Sequence, residues 1–389
     1  MNSPGEQSLF TRPFVLLCVA MFLGYANQWL MTPIIPLYVQ HLGGSAFVAG
    51  LALFAFALPS FVSRPFFGRL ADRWSATGVL ASGLLMLAAG SLLFLAPILA
   101  MAFVGGLVRG LGWGGLNIGG YTTLATAAPP QRRGEAAGYY TSVTTSVSIV
   151  FPALALWLIA RPGGFGTVFL LSAALVLAGL PVVSRLAKHQ GESKKPATAS
   201  EEQASFIDRG VLLATGLNLC ATLPAPSVMA FLPLYARSLG IDNIGLFYVL
   251  AGITSIVVRP VLGRKSDAIG RGPAIALGLA AQLLGLALII AAQSLPLILV
   301  GGVFVSLGWA MISSTATALA MDLTDPRSRG RGMATFSLSF QLGIGVGAII
   351  SGALADLVGL RGMYAGSIAI TLAGFGLLAG AWKRLPRPR

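Results

Sequence analysis

Twelve apolar runs, each about long enough to cross a bilayer, decide what this chain of 389 residues can fold into. Six lie near residues 14–36, 47–67, 78–97, 99–124, 136–160 and 165–184. Six more lie near 210–235, 245–262, 273–292, 295–321, 332–355 and 363–382. A hydrocarbon core about 30 Å thick takes about 20 apolar residues as a helix, because backbone groups without water must bond within the segment. Twelve such helices need about 240 residues and leave roughly a dozen for each connection. The runs therefore predict an all-α membrane protein of twelve transmembrane helices. Mean hydropathy of +0.82 and a charged fraction of 10% exclude a soluble enzyme and a disordered chain. The first run has no small-residue cleavage site and is followed by eleven others, so it reads as a retained helix.

A net charge of +14 would suggest nucleic acid in a soluble protein. Its placement argues for topology instead. With a cytoplasmic N-terminus, Arg69, Arg73, Arg132, Arg133, Arg264, Lys265, Arg271, Arg327, Arg329 and Arg331 all face inside. So do the linker bases and the tail, Lys383, Arg384, Arg387 and Arg389, while only Arg161, Arg237 and Arg361 fall outside. This asymmetry predicts a multi-pass protein of the cytoplasmic (inner) membrane with both termini in the cytoplasm. Membrane lipids, anionic ones included, are the expected partners of the bases, and no nucleic acid is. Cys18 and Cys220 lie inside apolar runs and read as small buried hydrophobes.

Residues 185–209 form the one long polar stretch, with Glu192, Lys194, Lys195, Pro196, Glu201 and Glu202. It reads as a cytoplasmic linker between a six-helix bundle at 1–184 and another at 210–389. The halves repeat. Arg64-Pro65, Gly68-Arg69 and Asp72 return as Arg259-Pro260, Gly263-Arg264 and Asp267, an offset of 195. Pro36-Leu37-Tyr38 returns as Pro233-Leu234-Tyr235, offset 197. Val104-Gly105-Gly106 with Leu111-Gly112-Trp113 returns as Val300-Gly301-Gly302 with Leu307-Gly308-Trp309, offset 196. Six spans separate the copies, so both begin on one side of the membrane. They are parallel repeats, related by a pseudo-two-fold axis along the membrane normal.

With Gly68-Arg69-Leu70-Ala71-Asp72-Arg73 after the second span, the pattern resembles the major facilitator superfamily, which carries a G-x-x-x-D-R motif there. The closest branch in pattern is the drug and metabolite exporters (drug:proton antiporters). The second copy, Gly263-Arg264-Lys265-Ser266-Asp267, keeps the Gly-Arg pair and the acid. The resemblance covers nearly the whole chain and implies a transporter that works by alternating access. Gly68, Arg69, Asp72, Arg73, Gly263, Arg264 and Asp267 are then the expected conformational latch. The residues themselves suit that role: Gly68 permits close helix approach, and Asp72 precedes a helix N-terminus, where an anion is favoured.

Exporters of that branch carry an Arg and a G-x-G in the fourth helix. Here Gly112-Trp113-Gly114 is present, Gly106 takes the expected Arg position, and Arg109 lies three residues later. Val305 is its repeat counterpart, so Arg109 is not needed to build a helix. An ionisable residue deep in a span is expensive and faces a cavity or a partner. The same branch often has a Gly-Pro pair in helix five, where this chain has Phe151-Pro152. The resemblance places helices 1, 4, 7 and 10 around the cavity. The substrate-binding residues expected there are Asn27, Gln28, Arg109, Trp113, Asn117, Asn218, Trp309 and, on the flanking helix 11, Gln341.

There is no Walker A pattern, so an ion gradient is the expected energy source, with protons the expected ion. Acids are sparse, and Glu135 and Asp322 at helix ends are the coupling candidates. Two His and two Cys make no metal-ligand cluster, and no nucleophile–base pair is seen. The reading is a monomeric secondary active transporter, not an enzyme, that uses no cofactor or metal and exports a small organic molecule with proton coupling. Uptake or exchange of an organic anion is an alternative, as is a lipid flippase or a sensor on the same fold.

Overall fold

The computed structural model describes residues 9–128, 132–190, 208–324 and 329–382, without the side chains of 190, 259–268, 329–331 and 334. The described residues are helical, with no strand among them. In chain order the helices are α1 (Arg12–Met31), α2 (Ile34–His41), α3 (Ala46–Val62), α4 (Arg64–Arg73), α5 (Ala76–Leu93), α6 (Leu99–Ala127), α7 (Arg133–Ile159) and α8 (Gly164–Gln190). After the linker come α9 (Leu212–Thr222), α10 (Ala225–Met229), α11 (Leu232–Ser238), α12 (Gly245–Ile269), α13 (Arg271–Ile290), α14 (Leu295–Leu323) and α15 (Arg329–Ala381).

Nine described helical stretches are long and apolar enough to cross a membrane, and α3 with α4, bent by 41°, makes a tenth. The 53 residues of α15 would run about 80 Å as one rod, more than two hydrocarbon cores. It breaks at Gly359, whose φ of 81° suits glycine, and so supplies two spans. With the 25-residue α12 the helices accommodate twelve crossings.

Proline explains the other breaks. It has no N–H to donate and collides with the carbonyl four residues back. The expected first span therefore splits at Thr32-Pro33 into α1 and α2. The seventh splits into α9, α10 and α11 around Pro224, Pro226 and Pro233. The second bends at Ser63, just before Pro65.

The chain divides into two compact units. One comprises Met1–Thr32 and Ala55–Ser200, the other Pro33–Phe54 and Glu201–Arg389. The α3 helix thus begins in the second unit and ends in the first. In the first unit, Leu17, Met21, Leu80, Leu84, Leu116 and Val176 form a buried core. In the second, Leu217, Ile275, Leu279, Ile312, Leu319 and Phe336 do the same.

Glycine sets the closest helix pair in each unit. A Cβ on Gly112 of α6 would meet the Gly83 carbonyl of α5 at 2.7 Å. One on Gly308 of α14 would meet the Gly278 carbonyl of α13 at 2.5 Å. One turn or two further along, Gly90 abuts Gly105 and Arg109, and Gly285 abuts Gly301 and Val305. These contacts repeat at the offset read from the sequence. Small residues let backbones approach, which is how helices associate where lipid removes the hydrophobic drive.

Candidate functional site

Arg109, Trp113, Asn117 and Tyr121 follow one another in steps of four along α6. Steps of four keep side chains on neighbouring faces, so these residues form a stripe about 18 Å long. Its two ends differ in exposure: Arg109 is 0% exposed and Tyr121 54%. The exposed end is the end where α5 begins, since Gly119 lies against Ala76 and Leu80. The stripe is therefore buried at its head and open at the end that carries the Gly68–Arg73 turn.

At the head, α1 meets α6. One Arg109 Nη2 donates to Asn27 Oδ1 at 3.1 Å and to Gln28 Oε1 at 3.0 Å. The Asn27 amide is fully used, because its Nδ2 donates to Ser91 Oγ at 2.8 Å and to the Ser172 carbonyl at 2.9 Å. Asn27, Ser91, Ser172 and Arg109 are all 0% exposed. The Arg109 guanidinium also lies 5.4 Å from the centre of the Phe56 ring. Its Nε and Nη1 find no partner among the described residues, nor does any carboxylate pair with it there. Three of its five N–H groups are thus unsatisfied. A buried cation in that state is costly unless something anionic or strongly polar meets it.

Lower on the stripe, the Tyr25 hydroxyl donates to Asn117 Oδ1 at 2.9 Å, and Asn117 Nδ2 donates to the Trp113 carbonyl at 2.9 Å. The Tyr25 and Trp113 rings lie 4.6 Å apart, and Phe56 completes the aromatic wall 6.2 Å from Trp113. The Tyr121 hydroxyl and the Arg64 guanidinium lie within electrostatic reach of the Tyr25 hydroxyl. Sequence reasoning saw Arg64 only as part of the repeated Arg-Pro pair. Its position three residues inside the end of an apolar run was the available signal. Between α1 and α7 lies an apolar groove of about 350 Å³, lined by Phe10, Phe14, Val15, Phe22, Tyr139 and Val143 among others.

The first unit therefore brings five of the eight expected binding residues into two connected clusters: Asn27, Gln28 and Arg109, then Trp113 and Asn117. The other three lie in the second unit. There Asn218 Nδ2 donates to Ser339 Oγ at 2.8 Å, and Thr222 Oγ1 donates to the Ser339 carbonyl at 2.8 Å. Gln282 Nε2 reaches the Ala221 carbonyl at 3.2 Å. Trp309 packs on the Leu279–Ile312 core with its Nε1 unpartnered among the described residues, as are Asn218 Oδ1 and Ser313 Oγ. Gln341 is half-buried on α15.

Gly68, Arg69, Asp72 and Arg73 lie in the last two turns of α4. Arg69, Asp72 and Arg73 are exposed and form no ion pair among the described residues. The cap of α5 is Ser75, whose Oγ accepts from Gly78 N at 3.1 Å, so Asp72 does not fill that place. Gly263, Arg264 and Asp267 fall in α12, with side chains outside the described residues. Glu135 accepts from Arg132 Nε at 2.8 Å and Nη2 at 2.9 Å in an exposed pair. Asp322 accepts from Arg271 Nε at 3.0 Å.

A family model described as the Major Facilitator Superfamily matches residues 17–283 and 214–389, and the protein belongs to that superfamily. The multi-drug resistance efflux pump PmrA of Streptococcus pneumoniae is 29% identical over 267 residues, 64% of this chain and 65% of that protein. The staphylopine export protein of Staphylococcus aureus is 24% identical over 255 residues, 64% of each. The chain thus spans just under two thirds of the length of these relatives. A solved structure of a POT family transporter covers 97% of this chain and 97% of its own, with a TM-score of 0.81 at 12% identity. A nucleoside transporter NupG structure has a TM-score of 0.76 at 14% identity, over 94% of this chain and 99% of that one. At that identity the likeness is one of fold.

Proposed function

We propose that this protein is a secondary transporter that exports a small amphipathic organic molecule across the cytoplasmic membrane, in exchange for protons, by alternating access. The observation that carries the reading is the α6 stripe, with buried Arg109 at the head, paired with no carboxylate among the described residues, and its opening at Tyr121. A molecule entering from the open end meets stacked aromatic surface at Tyr25, Trp113 and Phe56. It then reaches fixed amide and guanidinium donors. An apolar wall with a few placed polar groups is what a small-molecule site needs. The named efflux relatives support the outward direction. Both termini are placed in the cytoplasm by the positive-inside asymmetry, which puts the exposed end of the stripe on that side.

Proton coupling is assigned to the Arg132–Glu135 and Arg271–Asp322 pairs, each of which a proton on the carboxylate would release. The Gly68–Arg73 turn and its repeat at Gly263–Asp267 are proposed to hold the cytoplasmic ends in one state of the cycle. A second reading, exchange of an organic anion, is favoured by one observation: no carboxylate neutralises Arg109 among the described residues.

The test uses purified protein in proteoliposomes with an internal pH dye and an imposed proton gradient. Lipophilic cations, zwitterions and organic anions are added in turn to wild type and to Arg109→Ala. Compound-dependent proton flux supports coupled export. Uptake of labelled organic anion without proton flux supports exchange. The absence of both would overturn the transport reading.

A further inference from the structure

Asp356 is an acid of α15 three residues before the break at Gly359. Its carboxylate closes the start of another helix. Oδ1 accepts from Ala46 N at 2.9 Å and Oδ2 accepts from Phe47 N at 2.9 Å. These are N–H groups of the first turn of α3, which have no partner within their own helix. A negative charge there also meets the positive end of the helix dipole. Ser45 Oγ, at the cap position, accepts from Val48 N at 3.4 Å.

Below the carboxylate the two helices touch backbone to backbone. A Cβ on Gly352 would strike the Ala46 carbonyl, and a Cβ on Gly50 would strike the Ala348 carbonyl. Ala46 and Gly50 are four apart on α3, and Ala348 and Gly352 four apart on α15. They pair in antiparallel order, and Asp356 takes the next step of four. The seam is a small-residue zip with an acid at its end, all within the second unit, which α3 leaves at Phe54.

The repeat shows that the fold does not require this. At an offset of 195 or 196, the counterparts of Gly352 are Trp157 or Leu156, and those of Asp356 are Arg161 or Ala160. One half carries a glycine and an acid where the other carries a bulky side chain and no acid.

We propose that Asp356 is a positioning residue of the transport cycle: its capping of α3, together with the Ala46–Gly50 and Ala348–Gly352 seam, latches the start of α3 to α15 on the outer side, and the two part when the cap is released. The α3 helix suits this role because its capped end lies in one unit and its other end in the other. A cap that a single side-chain rotation removes can be broken and remade each cycle. The inference rests on the transport reading and on the orientation proposed above.

The test places single cysteines in a Cys18→Ser/Cys220→Ser background and labels intact cells with a membrane-impermeant maleimide. Leu357→Cys, at an 80%-exposed site, reports the face. Labelling without permeabilisation supports the outer assignment, and labelling only after permeabilisation overturns it. Ala49→Cys, at a 1%-exposed site beside Gly50, reports the seam, and Tyr121→Cys, labelled in inverted vesicles, reports the opposite end. Asp356→Asn is expected to raise Ala49→Cys labelling about tenfold, the scale of a lost helix cap, and to lower Tyr121→Cys labelling. General loosening of the fold would raise both. Unchanged labelling of Ala49→Cys, or a rise at both ends, would overturn the latch. If Asp356→Asn does not reach the membrane, Phe47→Cys/Asp356→Cys takes its place. Oxidation should then stop compound-dependent proton flux and thiol reductant restore it, and flux indifferent to oxidation would overturn the proposal. Because the labelling needs no substrate, it fails or succeeds independently of the proteoliposome result.

Discussion

Helices α6 and α14 are the same element built twice, and they differ where chemistry is expected. At an offset of 196, Arg109, Trp113, Asn117 and Tyr121 of α6 correspond to Val305, Trp309, Ser313 and Thr317 of α14. The glycines that seat these helices are the same in both, Gly90 and Gly105 in one unit and Gly285 and Gly301 in the other. Gly90 would strike Arg109 as Gly285 would strike Val305, so the two side chains spring from one structural niche. The scaffold is duplicated and the charge is not. Packing therefore does not account for Arg109, and the role in binding proposed above would account for a buried cation with three donors unpartnered among the described residues.

The comparison can be broken most forcefully at Arg109 itself. Arg109→Met should cut compound-dependent proton flux by about 100-fold, the scale of two lost charge-assisted bonds. It should also raise the thermal midpoint of unfolding, since an uncompensated buried charge is removed. A fall in both would make Arg109 structural. Next come the shared glycines. Gly90→Leu and Gly285→Leu should each destabilise by about 3 kcal/mol, because neither backbone can move away. Unequal losses measured by thermal denaturation would show that the two scaffolds are not equivalent.

Asn27→Asp sharpens the contrast by giving Arg109 an ionic partner. Transport of organic anions should fall about tenfold while lipophilic cations are spared, as measured by counterflow of labelled compounds. The smallest expected effect is that of Glu135→Gln. Its pair with Arg132 is exposed, so the unfolding midpoint should not move measurably. The pH dependence of compound-driven proton flux should nevertheless flatten, and an unchanged profile would remove Glu135 from coupling.

Much of the fold was legible because span length is a strong physical signal. Runs read at 99–124 and 295–321 appear as Leu99–Ala127 and Leu295–Leu323. What periodicity could not supply was the breaking of the first and seventh spans, although Pro33, Pro224 and Pro226 were there to be weighed. In the site, Asn27, Gln28 and Arg109 stood out as polar groups in apolar surroundings. That they touch one another was not readable, since 81 and 82 residues separate the partners. Ser91 and Ser172 were invisible for another reason. A hydroxyl in a span usually bonds its own helix, as Ser91 Oγ does to the Leu87 carbonyl at 2.8 Å, and nothing local reveals that it also holds Asn27. Asp356 is one isolated acid in the sequence, and its partners lie 309 and 310 residues away.

On the cycle proposed above, a fixed positive charge at Arg109 would also tie the protein to membrane voltage. One elementary charge moved across the full field is worth about 2.3 kcal/mol per 100 mV. An empty carrier with an unpaired guanidinium feels whatever part of that field its rearrangement crosses. A carrier holding an anionic cargo on the same group is locally neutral and does not. Voltage would then act on the return stroke rather than the loaded one, and the resting potential of the cell would set how often the empty site faces each side.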